Sequence, residues 1–228
     1  MRIIIATIKS WNIERAKELR EKMKGQHEIY IVTSKEEFTK EYVASIQPEL
    51  ILFPHWSYFI PEEIFLNWPC VVFHMTDLPF GRGGSPLQNL IVRGFKETKL
   101  SAIQVNKTFD EGPIYMKRPL SLEGSAEEIF TRCSDVIFQD MIPAFLEGIP
   151  TPQPQVGEPT VFKRRKPEDG RILEDMLPEQ IYDYIRMLDA EGYPNAFLEY
   201  GDYKLEFTKA KLTDGEVSAQ VRFVRKEN

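Results

Sequence analysis

Between residues 2 and 74, short apolar runs alternate with amphipathic helical stretches, and nothing else in the sequence constrains the fold as tightly. The runs RIIIAT (2–7), HEIYIVT (27–33), ELILFPH (49–55) and CVVFH (70–74) have strand length and many β-branched residues. The first intervening stretch is IERAKELREKMKG (13–25), where Ile13, Ala16, Leu19 and Met23 recur at helical spacing. Asn12 is placed to cap this helix and Gly25 to end it. SKEEFTKEYVASIQ (34–47) reads as a second helix opened by Ser34, with Phe38 and Val43 on its apolar side. PEEIFLNW is a short third helix with Pro61 at its start. Strands that alternate with helices imply parallel strands joined by helical crossovers, so the expected fold is an α/β open sheet, mostly parallel and Rossmann-like. Ligands of such sheets sit outside the carboxyl ends of the strands, where His55 and His74 both lie.

The chain continues with a helix (86–95), a strand (99–107), the turn TFDEGP (108–113) and a strand (114–122). A long helix is expected over 124–148, opened by a Ser125/Glu128 capping box. Ile129, Cys133, Val136, Ile137, Met141, Ala144 and Phe145 form its apolar stripe. IPTPQPQVGEP (149–159) is Pro-rich and polar, and reads as a linker. Beyond it stand a helix (177–192) and three antiparallel strands, the last two joined by the turn LTDGE. The expected organisation is a main domain over 1–150 and a small C-terminal α+β appendage over 160–228.

Several chemistries are excluded. The first strand-to-helix turn, ATIKSWN, has no glycine, so it cannot bring its backbone close to a pyrophosphate. GRGGSP comes too late and is spaced wrongly for that role. No Walker loop and no G-x-S-x-G elbow occurs. Cys70 and Cys133 fall on apolar faces without metal-ligand spacing, so both read as small core residues and no metal is expected. The net charge is −6, and residues 161–228 hold 12 Lys/Arg against 14 Asp/Glu. The basic run Lys163–Lys166 reads as a solvated linker, and the charge balance argues against a nucleic-acid partner. No apolar run is long enough to span a membrane and the N-terminus lacks a cleavage-site pattern, so the expected location is cytoplasmic.

Two segments carry the candidate chemistry. In VVFHMTDLPFGRGGSP (71–86), His74 stands where an apolar strand empties into a Gly-rich loop containing Arg82. In FDEGPI (109–114), Asp110 lies in a turn before another strand. A carboxylate beside an imidazole orients it and favours its charged form.

Together these segments resemble the folate-dependent formyltransferase family. His74, Leu78-Pro79, Arg82-Gly83 and Pro86 stand in the order of the family's loop, and Asp110, Gly112 and Ile114 match its second motif. FPHWSYFIPEEIF resembles the folate-side loop that precedes the histidine motif. The family carries an asparagine two residues before the histidine, where this chain has Val72. Thr76, Ser57 and His55 are candidate replacements by loop position, and a backbone N–H or a protonated His74 is the other candidate for the oxyanion partner. Arg165, Pro167, Asp169, Gly170, Tyr193, Pro194, Ala196 and Phe197 fit the outline of the sugar N-formyltransferase branch, and the histidine loop looks most like its pseudaminic-acid-pathway members.

The resemblance implies a formyltransferase fold and transfer of a formyl group from 10-formyltetrahydrofolate to the amine of a nucleotide-linked amino sugar. His74 and Asp110 would be the catalytic residues, and no metal would take part. Trp56, Ser57, Tyr58, Phe59, Arg82 and Gly83 would meet the folate, whose pterin suits apolar walls. Thr76, Arg82, Tyr193 and Phe197 would meet the acceptor. Arg82 also reads as a loop-stabilising residue, and packing is preferred over base stacking for Tyr193 and Phe197. No membrane is expected as a partner, and the antiparallel tail offers edge strands through which a homodimer could form. Two other readings are a formyltetrahydrofolate hydrolase and a folate or nucleotide-sugar binding protein without catalysis. Val72 favours the second; His74 and Asp110 oppose it. Methionyl-tRNA formyltransferase ranks below these, because the tail is short and acidic.

Overall fold

The structure, a computed structural model, describes residues 1–226, so the last two residues of the 160–228 segment lie outside the described residues. The elements run β1 (Arg2–Ala6), α1 (Ser10–Lys22), β2 (Glu28–Val32), α2 (Lys40–Ile46), β3 (Leu50–Phe53), α3 (Glu62–Phe65) and β4 (Cys70–His74). Then come β5 (Arg82–Gly83), α4 (Pro86–Ile91), β6 (Glu97–Gln104), β7 (Ile114–Ser121), α5 (Ala126–Val136), a π-helical turn (Ile137–Met141) and α6 (Ile142–Glu147). The chain ends with β8 (Val161–Phe162), a 3₁₀ turn (Pro167–Gly170), α7 (Pro178–Arg186), β9 (Ala196–Tyr200), β10 (Tyr203–Thr213) and β11 (Glu216–Arg225).

These elements pack into two compact units. The first takes Met1–Arg82, Lys99–Leu120 and Thr131–Val161; the second takes Gly83–Thr98, Ser121–Phe130 and the chain from Phe162 onward. The first unit is built on a six-stranded sheet of order β2-β1-β3-β4-β6-β7. β1 pairs in parallel with β2 and β3, and β3 with β4, while β4 and β6 are antiparallel. This is the expected mostly parallel sheet. Ile3, Ile4 and Ile5 of β1 and Leu50, Ile51 and Leu52 of β3 are inaccessible to solvent, as strands covered on both faces require. The strand order reverses between β1 and β3, which makes the carboxyl ends of these strands a topological switch point.

Local departures from the expected elements have identifiable causes. α1 starts at Ser10, so Asn12 lies inside it rather than capping it. Asn12 is buried, donates from Nδ2 to the Pro54 carbonyl (3.4 Å), and accepts from the Ser134 hydroxyl. α2 starts at Lys40 instead of near Ser34, because Thr39 is extended and its Oγ1 accepts from the Tyr42 N–H (3.2 Å). Phe38, just before that cap, is buried against Phe53 and Trp56. The long helix over 124–148 is interrupted by the π turn. Pro143 follows directly in α6; it lacks an N–H and its ring would crowd the carbonyl four residues back, a conflict that wider winding relieves.

The second unit contains the antiparallel sheet β11-β10-β9. Asp214 and Gly215 join β10 to β11 with φ of 51° and 80°, the left-handed pair that a tight hairpin favours. Arg186 is buried there and satisfied by the Leu122 and Gly124 carbonyls and by Asp183. Among the described residues no helix is long and apolar enough to cross a membrane.

Candidate active site

His74 is the last residue of β4, and Val72 shares its face of the strand two residues earlier. Val72 pairs with Phe53 across β3 and β4 and packs against the core. The imidazole is almost fully buried, and its Nε2 lies 2.8 Å from the Gly81 carbonyl. A carbonyl only accepts, so Nε2 carries a proton. Nδ1 then faces Asp110, with Nδ1 and Oδ1 3.4 Å apart.

The loop after β4 is pinned rather than loose. Gly81 accepts a second bond from the Thr76 hydroxyl (3.2 Å), and its N–H donates to the Thr160 hydroxyl (2.7 Å). The Thr76 carbonyl accepts from Ser101 Oγ (2.7 Å). Leu78-Pro79 is a cis peptide. Burial pushes the Asp77 carboxyl up, but hydrogen bonds from Lys117 and Lys99 outweigh it and hold the group below its ordinary value. Thr76 is wholly buried with its hydroxyl turned to Gly81, which leaves it badly placed to replace the family asparagine.

Asp110 lies in a turn with φ of 56°, a left-handed conformation that Asp tolerates better than most side chains. Gly112 has no room for a side chain, since a Cβ there would sit 1.7 Å from the Gln104 carbonyl oxygen. Gln155 spans the turn: its Nε2 donates to the carbonyls of Asp110 (2.8 Å) and Gly112 (2.9 Å). Its Oε1 accepts from Arg82 Nε (3.1 Å) and Nη2 (2.9 Å), while Arg82 Nη1 reaches Glu111 (2.9 Å). Of the two roles open to Arg82, these contacts describe the loop-organising one. The Pro-rich stretch that contains Gln155 is therefore no free linker. Gln153 also exchanges both backbone hydrogen bonds with Ile114 at the start of β7.

The loop after β3 stands at the switch point. Thr7 Oγ1 and Asn12 both donate to the Pro54 carbonyl. His55 follows with φ of 56°, its ring edge-on to Trp11. Burial, helped by Lys9, lowers the His55 pKa to about 4. Trp56 is half-buried against Phe38, Phe53 and Tyr58, and its indole N–H is shielded without an acceptor among the described residues. Ser57, Tyr58 and Phe59 are exposed. Phe59 is 66% exposed and meets Phe109, itself 77% exposed, edge to face at 6.4 Å. Phe109 immediately precedes Asp110, so an exposed aromatic pair adjoins the carboxylate's own turn.

The remaining candidates belong to the second unit. Gly83 has φ of 95°, which only a glycine adopts easily. Tyr193 stacks on Phe130 at 5.1 Å, and burial, partly offset by Arg164, pushes its phenol up to about 12. Phe197 is a buried residue of β9 beneath Lys204. Both side chains pack within that unit. Sequence reasoning missed the Gly81 carbonyl, Phe109 and Gln155. Only Phe109 carried a signal, being an apolar residue in an otherwise polar turn. Cys70 and Cys133 are buried free thiols, and burial raises both, Cys133 to about 12.

Comparison with known proteins places this geometry. The family described as Formyl transferase matches residues 12–137, and that described as "Methionyl-tRNA formyltransferase, C-terminal domain" matches residues 167–224. A methionyl-tRNA formyltransferase of Thermodesulfovibrio yellowstonii is 28% identical over 76% of this chain and 58% of its own, so the chain spans little more than half of that relative. A solved structure described as methionyl-tRNA formyltransferase from Clostridium thermocellum is 57% identical, with a TM-score of 0.97 over 99% of this chain and 100% of that one. HypX from Aquifex aeolicus, solved in complex with tetrahydrofolic acid, shares the fold (TM-score 0.75, 18% identity, 95% of this chain and 40% of that one). These findings overturn the assignment to the sugar branch, with its nucleotide-linked amino sugar and its exclusion of nucleic acid. The tail read as foreign to the tRNA enzymes matches their C-terminal domain, and the relatives' names carry tRNA. Since the Formyl transferase match spans more than half of the sequence and takes in both His74 and Asp110, the chain belongs to the formyl transferase family.

Proposed function

We propose that this chain transfers a formyl group from 10-formyltetrahydrofolate to the amine of methionyl-tRNA, with His74 and Asp110 as the catalytic pair. The observation that carries the reading is the buried contact between His74 Nδ1 and Asp110 Oδ1, in a chain 57% identical to a structure described as methionyl-tRNA formyltransferase.

The residues of the first unit fit a folate. The exposed faces of Tyr58, Phe59 and Phe109 suit a flat ring, and the unsatisfied Trp56 indole N–H suits a carbonyl acceptor. When bound, 10-formyltetrahydrofolate supplies the formyl group. An attacking amine must shed a proton as its nitrogen bonds carbon, and the formyl oxygen gains negative charge. The Asp110 carboxylate is the acceptor for that proton. His74, protonated at both ring nitrogens and held at Nε2 by the Gly81 carbonyl, presents Nδ1–H as the donor that stabilises the oxygen and then protonates the departing nitrogen as its bond to the formyl carbon breaks; the proton taken up by Asp110 returns to Nδ1 and restores the pair. At 3.4 Å the Nδ1–Oδ1 contact is longer than a strong charge-assisted hydrogen bond, which leaves this edge open to a reacting group.

The test is formylation of methionyl-tRNA by the purified protein with 10-formyltetrahydrofolate, read as formyl-methionine by mass spectrometry after deacylation. Transfer that falls on the order of a hundredfold in His74→Ala and Asp110→Asn is expected. No formyl-methionine, while an established methionyl-tRNA formyltransferase produces it in the same mixture, would end the reading.

A further inference from the structure

We propose that Gln155 is a positioning residue: its side-chain amide fixes the Asp110–Gly112 turn, sets the Asp110 carboxylate against His74, and fastens Arg82 to the same turn. The proposal builds on the catalytic pair of the preceding reading.

The hydrogen bonds account for all of the amide's capacity. A primary amide has two N–H donors and two acceptor lone pairs. The donors go to the Asp110 and Gly112 carbonyls at 2.8 and 2.9 Å, and the lone pairs take Arg82 Nε and Nη2 at 3.1 and 2.9 Å. The backbone around it is arranged to turn this side chain inward. Gln155 is half-buried, whereas the apolar Val156 beside it is 87% exposed.

The turn needs an external tie. Asp110 holds a left-handed φ, a conformation that persists in non-glycine residues when the surroundings over-determine it. One donor group bonded to both the Asp110 and Gly112 carbonyls fixes the orientation of the peptide planes, and with them the direction in which the Asp110 side chain leaves the backbone. Arg82 closes the frame by gripping Gln155 with one edge of its guanidinium and Glu111 with the other. Asp110 is thus held from its main chain by a residue 45 positions away, in a segment whose composition suggests only a linker.

The test uses the three histidines of the sequence. The full chain is labelled with 15N at histidine, and the ring signals are assigned through His74→Gln. Gln155→Leu removes every bond of the amide. Gln155→Glu keeps the acceptor for Arg82 and removes the donors to the turn, and it serves if the leucine variant does not fold. The His74 ring signals are expected to move in both variants in the direction they move in Asp110→Asn, with those of His27 and His55 unchanged. His74 signals that stay at their wild-type positions overturn the proposal, whether or not the protein formylates methionyl-tRNA. In the transfer assay, Gln155→Leu is expected to lower kcat up to about a hundredfold with little change in the KM for folate. In an Asp110→Asn background the same change should cost less than about twofold, because it acts through Asp110. Losses that multiply in the double variant overturn the proposal as well.

Discussion

Gly112 shows how closely the candidate site is fitted. A Cβ at this position would overlap the Gln104 carbonyl, which is sheet backbone and cannot swing aside as a side chain can. Gly112→Ala must therefore displace the turn that carries Asp110. Formyl transfer should fall at least as far as in Asp110→Asn, and the melting temperature should drop by several degrees because Gly112 is buried against β6. A Gly112→Ala variant with wild-type turnover would show that the position of Asp110 is unimportant. His55 supports a prediction about pH. Its folded pKa of about 4 lies below the ordinary 6.5, so the unfolded chain binds the extra proton between these values. This contribution to stability is complete above pH 6.5 and is lost as the pH falls toward 4, on the order of 3 kcal/mol in all. Urea midpoints of wild type and His55→Asn, which tolerates the positive φ, should differ in pH dependence within that window and run parallel above it. At this scale His74 and Asp110 were legible in the sequence, because each is a chemically distinctive residue at the boundary of a patterned element. Gln155 was not. Its role arises from four hydrogen bonds with three residues distant in sequence, and a glutamine in a Pro-rich stretch has no pattern that announces them.

Among the elements, the strands were legible and the helix ends less so. A β-branched run covered on both faces leaves the chain little choice, and β1, β3 and β4 appear where their apolar runs stand. Helix starts depend on which of several polar residues wins the cap. Ser34 and Thr39 both precede a helical pattern, and Thr39 wins because Phe38 is drawn into the core beside it. Thr39→Ala should cost about 1 kcal/mol, the usual loss for an N-cap hydroxyl. Ser34→Ala should cost much less, since Ser34 only accepts a long bond (3.3 Å) from the Glu37 N–H in an exposed turn. Equal losses in chemical denaturation would place the working cap at Ser34. The π turn at Ile137–Met141 was hidden for a similar reason. The apolar stripe runs through it without a break, and only Pro143 marks the place where regular α winding becomes costly.

The charge of the whole molecule misled the reading of its partner. A net charge of −6 describes the sum over the chain, but a phosphate responds to charges within about a Debye length, roughly 8 Å at physiological salt. Lys163, Arg164 and Lys166 are exposed, and none of their side chains forms an ion pair with a carboxylate among the described residues, although the Lys166 backbone N–H donates to Asp169. They stand immediately before the stretch that matches the methionyl-tRNA formyltransferase C-terminal domain. Arg165 differs, since it is committed to the Asp169 carbonyl and to the ring of Tyr184. If methionyl-tRNA is the acceptor, the three free cations are the natural phosphate contacts of the second unit. Each contact displaces a condensed counterion, so log K for tRNA should fall against log salt with a slope of roughly −0.7 to −0.9 per contact. Replacing all three by glutamine should weaken binding and flatten that slope by about 2 to 3, with the second unit still folded because none of these side chains is buried. An unchanged slope would return Lys163–Lys166 to the role of a solvated run and move the nucleic-acid surface to another part of the molecule.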